Sequence, residues 1–190
     1  MISPGAAWRR ELEAPFDVRP FDAVIGAEVI GLDVTRAMSR AVGAQLHCVL
    51  LAHRLLCFRD QRVTADSLLA FARLFGTTPA PAAICSNADA NGRPDGRAID
   101  PARLTWQADT SSGSAPLVAT LLYGVEVPRY GGDILFADRD ASRDPQDHLV
   151  YWHRWCRHDL LMWDNRYVMH RITPYDTAAE VHTTYRVVVG

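Results

Sequence analysis

One stretch near the C-terminal end of the chain organises the rest of it. The stretch reads Asp159-Leu160-Leu161-Met162-Trp163-Asp164-Asn165-Arg166-Tyr167-Val168-Met169-His170-Arg171. Its apolar first part is typical of a buried strand, Asp164-Asn165 is typical of a tight turn, and His170 follows that turn. Upstream, Gln107 and Asp109 lie two residues apart, so on a strand their side chains would point to the same face. Together the two segments outline a candidate metal pocket.

Composition limits what this pocket can belong to. The chain has 190 residues, of which 48% are hydrophobic, and this predicts a single globular domain over residues 1–190. A net charge of −2 and a pI of about 6.4 argue against a nucleic-acid or membrane surface and favour a small-molecule substrate. A homo-oligomer is compatible with these values. All 20 basic residues are arginine, which excludes lysine Schiff-base chemistry.

The cysteines and the N-terminus indicate a compartment. Cys48, Cys57, Cys85 and Cys156 form no C-x-x-C pair, and residues 1–5 lack the charged start and apolar stretch of a signal peptide. No run approaches the roughly 20 apolar residues that span a bilayer. We therefore expect a soluble protein in the reducing cytoplasm.

From the N-terminus onward, the sequence predicts short strands with two helices between them. Glycine-bounded alternation predicts short strands within residues 16–34, and an apolar run predicts a buried strand at 55–59. Helical spacing predicts a helix from Ser39 to His53 and a second from Thr64 to Phe75, with Gly76 as a stop. A strong strand is predicted over residues 117–127.

Several segments, in order, resemble one family. They are Gly26–Asp33, Leu56–Gln61, Leu69–Gly76, Trp106-x-x-Asp109, Ala119–Pro128, Gly131-Gly132-Asp133, Trp163–Arg166 and His170–Asp176. Together they are similar to the TauD/TfdA family of Fe(II)/2-oxoglutarate-dependent dioxygenases. The resemblance implies a mainly β fold, a double-stranded β-helix or jelly-roll, with the two helices packed outside. It also implies Fe(II) and 2-oxoglutarate, with Asp109 and His170 as metal ligands.

Three positions depart from the family pattern. Gln107 stands where the family has its first metal-binding histidine, and an amide oxygen is a weaker donor than imidazole. Ile134 stands where a threonine usually binds a 2-oxoglutarate carboxylate. Of two arginines on the last strand only Arg186 remains, and it is either an inward partner for a carboxylate or a rim arginine. His148, His153 or His158 could replace the missing histidine, although nothing in their spacing places them in the pocket.

Two segments can be interpreted either as structural or as functional. Residues 77–103, rich in Pro, Ala, Gly, Asn and Asp, are typical of a mobile loop, and they are either a lid at the substrate entrance or a passive surface loop. Residues 138–157 form a short bridge where family members carry several dozen further residues, so part of the family's cover should be missing. Tyr151, Trp152 and Trp155 either cap the exposed core or bind a ligand.

Two functions remain open. The first is an oxidoreductase that uses Fe(II), oxygen and 2-oxoglutarate on a small molecule that could be anionic. The second is a degenerate, non-catalytic member that binds a ligand or partner. Trp106, Asp109 and His170 support the first, whereas Gln107 and Ile134 support the second. As an oxygenase, the protein is expected to be inactive or very slow.

Overall fold

The structure is a computed structural model that describes residues 14–109, 117–140 and 149–190. Its described residues form ten strands and two α-helices. The strands are β1 (Asp17–Pro20), β2 (Ala27–Ile30), β3 (Leu55–Phe58), β4 (Ala83–Ser86), β5 (Ala119–Glu126), β6 (Ile134–Asp138), β7 (Val150–His153), β8 (Leu160–Asp164), β9 (Val168–Ile172) and β10 (Thr183–Val189). The helices are α1 (Arg40–His53) and α2 (Ala65–Ala72), and Pro101–Leu104 forms one 3-10 turn.

The strands form two facing sheets. The larger sheet has the order β1-β2-β3-β8-β5-β10-β4, and the smaller has the order β7-β6-β9. Only the pairing of β2 with β3 is parallel among the pairs of the described strands. Segments 119–138 and 160–189 therefore pair directly with one another, which confirms the predicted mainly β, jelly-roll architecture.

Strand β8 shows why the stretch at 159–171 organises the chain. It pairs with β3 on one side and β5 on the other, and all five of its residues are buried. Leu161 and Trp163 pack between the two sheets, whereas Leu160 and Met162 face the core under the helices. A strand covered on both faces is apolar throughout rather than alternating, because neither face meets water.

The two helices cover the outer face of the larger sheet, as predicted. Ser39 caps α1 by accepting from the Val42 N–H at 3.3 Å, and Thr64 and Ser67 form a reciprocal capping box at α2. Leu46, Leu50, Leu68 and Phe71 of these helices pack into the same core as Met162. Helix α2 ends at Ala72, three residues before the predicted end at Phe75, and a turn leads to Gly76.

The segment at 77–103 contains regular structure that its composition did not indicate. Residues 83–86 form β4, which pairs antiparallel with the start of β10 at the edge of the larger sheet. The partner strand lies about 100 residues away in sequence, so local propensity could not predict the pairing. The expectation of an irregular loop is therefore wrong for β4.

The short bridge contributes β7 and two aromatic contacts to the core. Tyr151 stacks on Phe21 with ring centroids 4.2 Å apart, and Trp155 packs against the core between the sheets. Trp152, by contrast, is 52% exposed and donates from its indole nitrogen to Asp133 at 3.0 Å. The capping interpretation therefore holds for Tyr151 and Trp155 and is wrong for Trp152.

Among the described residues, no helix is long and apolar enough to cross a membrane.

Candidate functional site

A cavity of about 360 Å³ contains the residues singled out in the sequence. Gln107, Asp109, His170 and Arg186 all line it. Its apolar wall is formed by Leu122, Ile134, Trp163 and Ile172. These side chains come from the segment before β5 and from β5, β6, β8, β9 and β10.

Gln107 and His170 are joined by their backbones. The Gln107 N–H donates to the His170 carbonyl at 2.9 Å, and the His170 N–H donates to the Gln107 carbonyl at 2.8 Å. Residues that exchange both hydrogen bonds lie directly opposite each other in an antiparallel pair, so their side chains share a face. His170 lies within β9, after β8 and the Asp-Asn turn, as the sequence predicts.

His170 is a buried and neutral imidazole. It is 8% exposed, and its Nδ1 has no hydrogen-bond partner. Burial lowers its pKa to about 4, Asp109 opposes this effect, and the charges of Arg186 and Arg103 add to it. A histidine must be neutral to bind a metal, so this side chain needs to lose no proton at neutral pH.

Asp109 is held by side chains rather than by a strand. Its Oδ2 accepts from the Thr120 hydroxyl at 2.7 Å, and its Oδ1 lies 2.9 Å from Nη2 of Arg186. Thr120 is fully buried and accepts in turn from Asn165 Nδ2 at 3.0 Å. Asp109 lies outside the strands, because the local ladder consists of the single bridge at Gln107.

Thr120 and Asn165 were not assigned a role in the sequence. Thr120 is the second residue of β5 and a polar side chain among apolar neighbours, and this contrast was the available signal. Asn165 belongs to the turn after β8, where its side chain could equally have served the turn alone. The hydrogen bonds that run from Asn165 through Thr120 to Asp109 are visible only once β5 and β8 are paired.

Arg186 faces inward. It lies on β10 opposite Leu122 of β5, and both residues line the cavity. Its side chain is 35% exposed, so the guanidinium remains partly hydrated while it pairs with Asp109. The register of β10 therefore places Arg186 on the cavity side of the sheet.

The other candidate histidines lie elsewhere. His153 is fully buried with its Nε2 3.1 Å from Oδ2 of Asp159, and the Nδ1 of His158 lies 2.6 Å from the Tyr123 hydroxyl. Neither lines the cavity, so neither replaces the missing imidazole at Gln107. His148 lies outside the described residues.

The cavity contains two strong candidate metal donors and one weak one. Asp109 offers a carboxylate, His170 a neutral imidazole with an unpaired nitrogen, and Gln107 an amide oxygen. Two histidines and one carboxylate are typical of non-haem iron sites, and an amide is the weakest member of this set. Within the described residues, no cluster of three or more His, Cys, Asp and Glu could hold a metal.

A match to a family model identifies the family of this chain. The profile of the "Taurine catabolism dioxygenase TauD, TfdA family" matches residues 17–144 and 139–187, which is most of the chain. The chain belongs to the TauD/TfdA family.

Relatives and solved structures agree with this assignment. The chain is 32% identical over 143 residues to the (S)-phenoxypropionate/alpha-ketoglutarate-dioxygenase of Sphingobium herbicidovorans, covering 70% of this chain and 48% of the relative. It is 28% identical over 167 residues to the enzyme of the same name from Delftia acidovorans, covering 79% and 56%. The chain thus spans about half the length of these relatives.

A solved structure supports the fold. The crystal structure of AAD-2 in complex with Mn(II) and N-oxalylglycine superposes with a TM-score of 0.80 at 20% identity, covering 92% of this chain and 96% of that chain. This TauD/TfdA member therefore keeps the architecture of the family. The family and the relatives favour the dioxygenase interpretation over the non-catalytic one.

Proposed function

We propose that this TauD/TfdA member is an Fe(II)/2-oxoglutarate-dependent oxidoreductase acting on a small, anionic molecule. The observation that carries the proposal is the convergence of Asp109, His170 and Arg186 on one cavity from three separate parts of the chain. The names of the curated relatives support 2-oxoglutarate as cosubstrate and an aryloxy carboxylate as a trial substrate.

In this proposal, Asp109 and His170 hold the metal and Gln107 faces its third protein position. Bound Fe(II) would supply the redox chemistry that couples oxygen to the oxidation of 2-oxoglutarate and substrate. Thr120 orients the Asp109 carboxylate through its 2.7 Å hydrogen bond. The buried Trp163 and Phe136 rings lie 5.0 and 6.2 Å from the His170 ring and exclude water from that side.

Arg186 is proposed to bind a carboxylate of the cosubstrate. Its planar guanidinium can donate two parallel hydrogen bonds to such a group. Ile134 in the neighbouring wall cannot donate a hydrogen bond to this carboxylate, because it is 1% exposed and has no polar side-chain atom. We therefore expect weak metal binding and very slow turnover.

The test measures metal binding and product separately. Purified protein is titrated anaerobically with Fe(II), with and without 2-oxoglutarate, and succinate release is then followed in air with (S)-phenoxypropionate. Asp109→Asn and His170→Ala should abolish Fe(II) binding, whereas His47→Gln, on α1 outside the cavity, should leave it unchanged. Metal binding that survives both cavity substitutions would overturn the assignment.

The succinate measurement tests the activity itself. We expect slow release that needs Fe(II) and stops in the Asp109→Asn variant. Robust release by the unaltered protein would show that Gln107 and Ile134 do not impair the site. No release from either the unaltered protein or the double variant Gln107→His, Ile134→Thr would refute the proposed activity.

A further inference from the structure

Strand β4 is a free edge of the larger sheet. It pairs with β10 and stands last in the order of the strands. In the part of the chain that the structure describes, no further strand or loop makes a backbone hydrogen bond to β4. The outer side of an edge strand carries a row of unpaired N–H and C=O groups, and these groups can pair with a strand of another chain.

The other three edges of the two described sheets carry features that disfavour such pairing. β1, at the opposite end of the larger sheet, contains Arg19 and Pro20, and a charge or a proline in an edge strand opposes pairing. β9 is bridged near its centre by the backbone of Gln107. β7 is followed by Arg154, whose guanidinium lies 5.7 Å from the centre of the Trp152 ring. β4 has no protection of this kind.

The composition of β4 suits pairing with a second copy of itself. No charged residue occurs between Arg73 and Asp89, so two copies of this segment would bring no like charges together. Ile84 points away from the cavity at Asp109, because its neighbour Cys85 lines that cavity. The isoleucine is 65% exposed, and removing this apolar surface from water would stabilise the contact that covers it.

We propose that two copies of this chain associate through β4, with the two strands antiparallel and Ile84 at the two-fold axis. An antiparallel pair of identical strands is symmetric, so the contact closes on itself and forms a dimer rather than a filament. In this register Ile84 lies opposite its own copy, and Cys85 lies opposite the partner's Ala83. The exposed isoleucine is then covered by an identical side chain, which favours this register over its neighbours.

The contact has a consequence for the cavity at Asp109. Cys85 of β4 lines this cavity together with Thr184 and Arg186 of β10. An edge strand with one neighbour opens more readily than a strand within the sheet, and a partner strand on its free side adds hydrogen bonds that oppose opening. Association would therefore hold Cys85 in the cavity wall. It requires neither metal nor ligand, so it can be tested independently of the proposed function.

The first experiment follows association by sedimentation velocity, from micromolar concentration upward. Ile84→Lys places a positive charge at the two-fold axis, where it meets an identical charge. Val24→Lys is the matched control, because Val24 is also β-branched and is 60% exposed, but lies in the loop between β1 and β2. Circular dichroism shows whether each variant is folded.

We expect the unaltered protein and Val24→Lys to form dimers with equal dissociation constants. Ile84→Lys should weaken the dimer at least about tenfold, which is about 1.4 kcal/mol, because opposed like charges replace an apolar contact. A protein that is monomeric at every concentration would overturn the proposal. So would a dimer that Ile84→Lys leaves unchanged, or one that Val24→Lys weakens equally.

Cross-linking tests the register without a charged variant. In a chain whose exposed Cys48 and Cys156 are replaced by serine, Ile84→Cys should form a disulfide-linked dimer in oxidised glutathione. Opposite residues of an antiparallel pair have Cα atoms about 4.5–5.5 Å apart, a distance that a disulfide spans. Ser86→Cys should form none, because its two copies would lie four residues apart along the strands, roughly 13 Å. No cross-link by Ile84→Cys, or equal cross-linking by both variants, would refute the proposed pairing.

Discussion

Acid should destabilise this protein through His182, and the structure gives the size of the effect. Its pKa is about 4 in the folded chain and 6.5 for an ordinary histidine, which is taken as the unfolded value. Below pH 6.5 the unfolded state therefore binds a proton that the folded state does not, so the free energy of unfolding falls as the pH falls. The loss begins near pH 6.5 and is complete near pH 4. At 1.36 kcal/mol per unit of pKa difference, it amounts to about 2 kcal/mol between pH 7 and 4.5.

The assay is urea unfolding at pH 7 and pH 4.5 for the unaltered protein and for His182→Gln. Each protein is compared with itself, so the cost of the substitution at pH 7 and the titration of carboxylates common to both cancel. The variant should lose about 2 kcal/mol less than the unaltered protein on acidification. His47→Gln should lose as much as the unaltered protein. An equal loss in His182→Gln would refute the inference that this imidazole is buried uncharged.

Three further outcomes follow from the site and the fold. Gln107→His should raise Mn(II) affinity about tenfold or more, because imidazole is a stronger donor than an amide, whereas Gln107→Asn should leave it unchanged. Equal Mn(II) affinities of Gln107→His and the unaltered protein in a calorimetric titration would contradict this. Thr120→Val should lower the free energy of unfolding by about 1–3 kcal/mol, because it leaves Asp109 without its 2.7 Å hydrogen bond, and urea unfolding measures this. Gly131→Ala should lower the free energy of unfolding by about 2 kcal/mol or more, because φ is +71° there and an added Cβ would lie 2.2 Å from the Pro174 carbonyl oxygen. A melting temperature equal to that of the unaltered protein would contradict this.

The sequence predicts those parts of the structure that local pattern controls. The apolar run before Asp164 and the capped helices at Ser39 and Thr64 were recognisable because their signals lie within a few residues. The fold itself came from the order of several motifs rather than from any periodicity. What the sequence could not show are partners set by pairing at long range, such as β4 on β10 and Thr120 on Asp109.

The same limit applies to the site. The spacing of Gln107 and Asp109 identified them as a pair, but it did not show which contacts hold each side chain. Gln107 is fixed by its backbone bridge to His170, whereas Asp109 depends on two side chains. His182 carried no signal in the sequence, because a lone histidine before a terminal strand is most often a satisfied core residue. In the structure its Nε2 is buried without a partner, as are Nε2 of His153 and Nδ1 of His170.

If the cavity binds a metal and an anion as proposed, the ion pair between Asp109 and Arg186 would link the two ligands. Nη2 of Arg186 lies 2.9 Å from Oδ1 of Asp109, so the guanidinium is the positive partner of this carboxylate. A metal at Asp109 would take over that role and leave the guanidinium to a carboxylate ligand, while a carboxylate at Arg186 would leave Asp109 to the metal. Each ligand therefore removes a competitor of the other, and by linkage the two affinities rise by the same factor. A pocket with only two strong metal ligands would then bind metal best in the presence of an anion, which is the condition under which a 2-oxoglutarate-dependent reaction would use it.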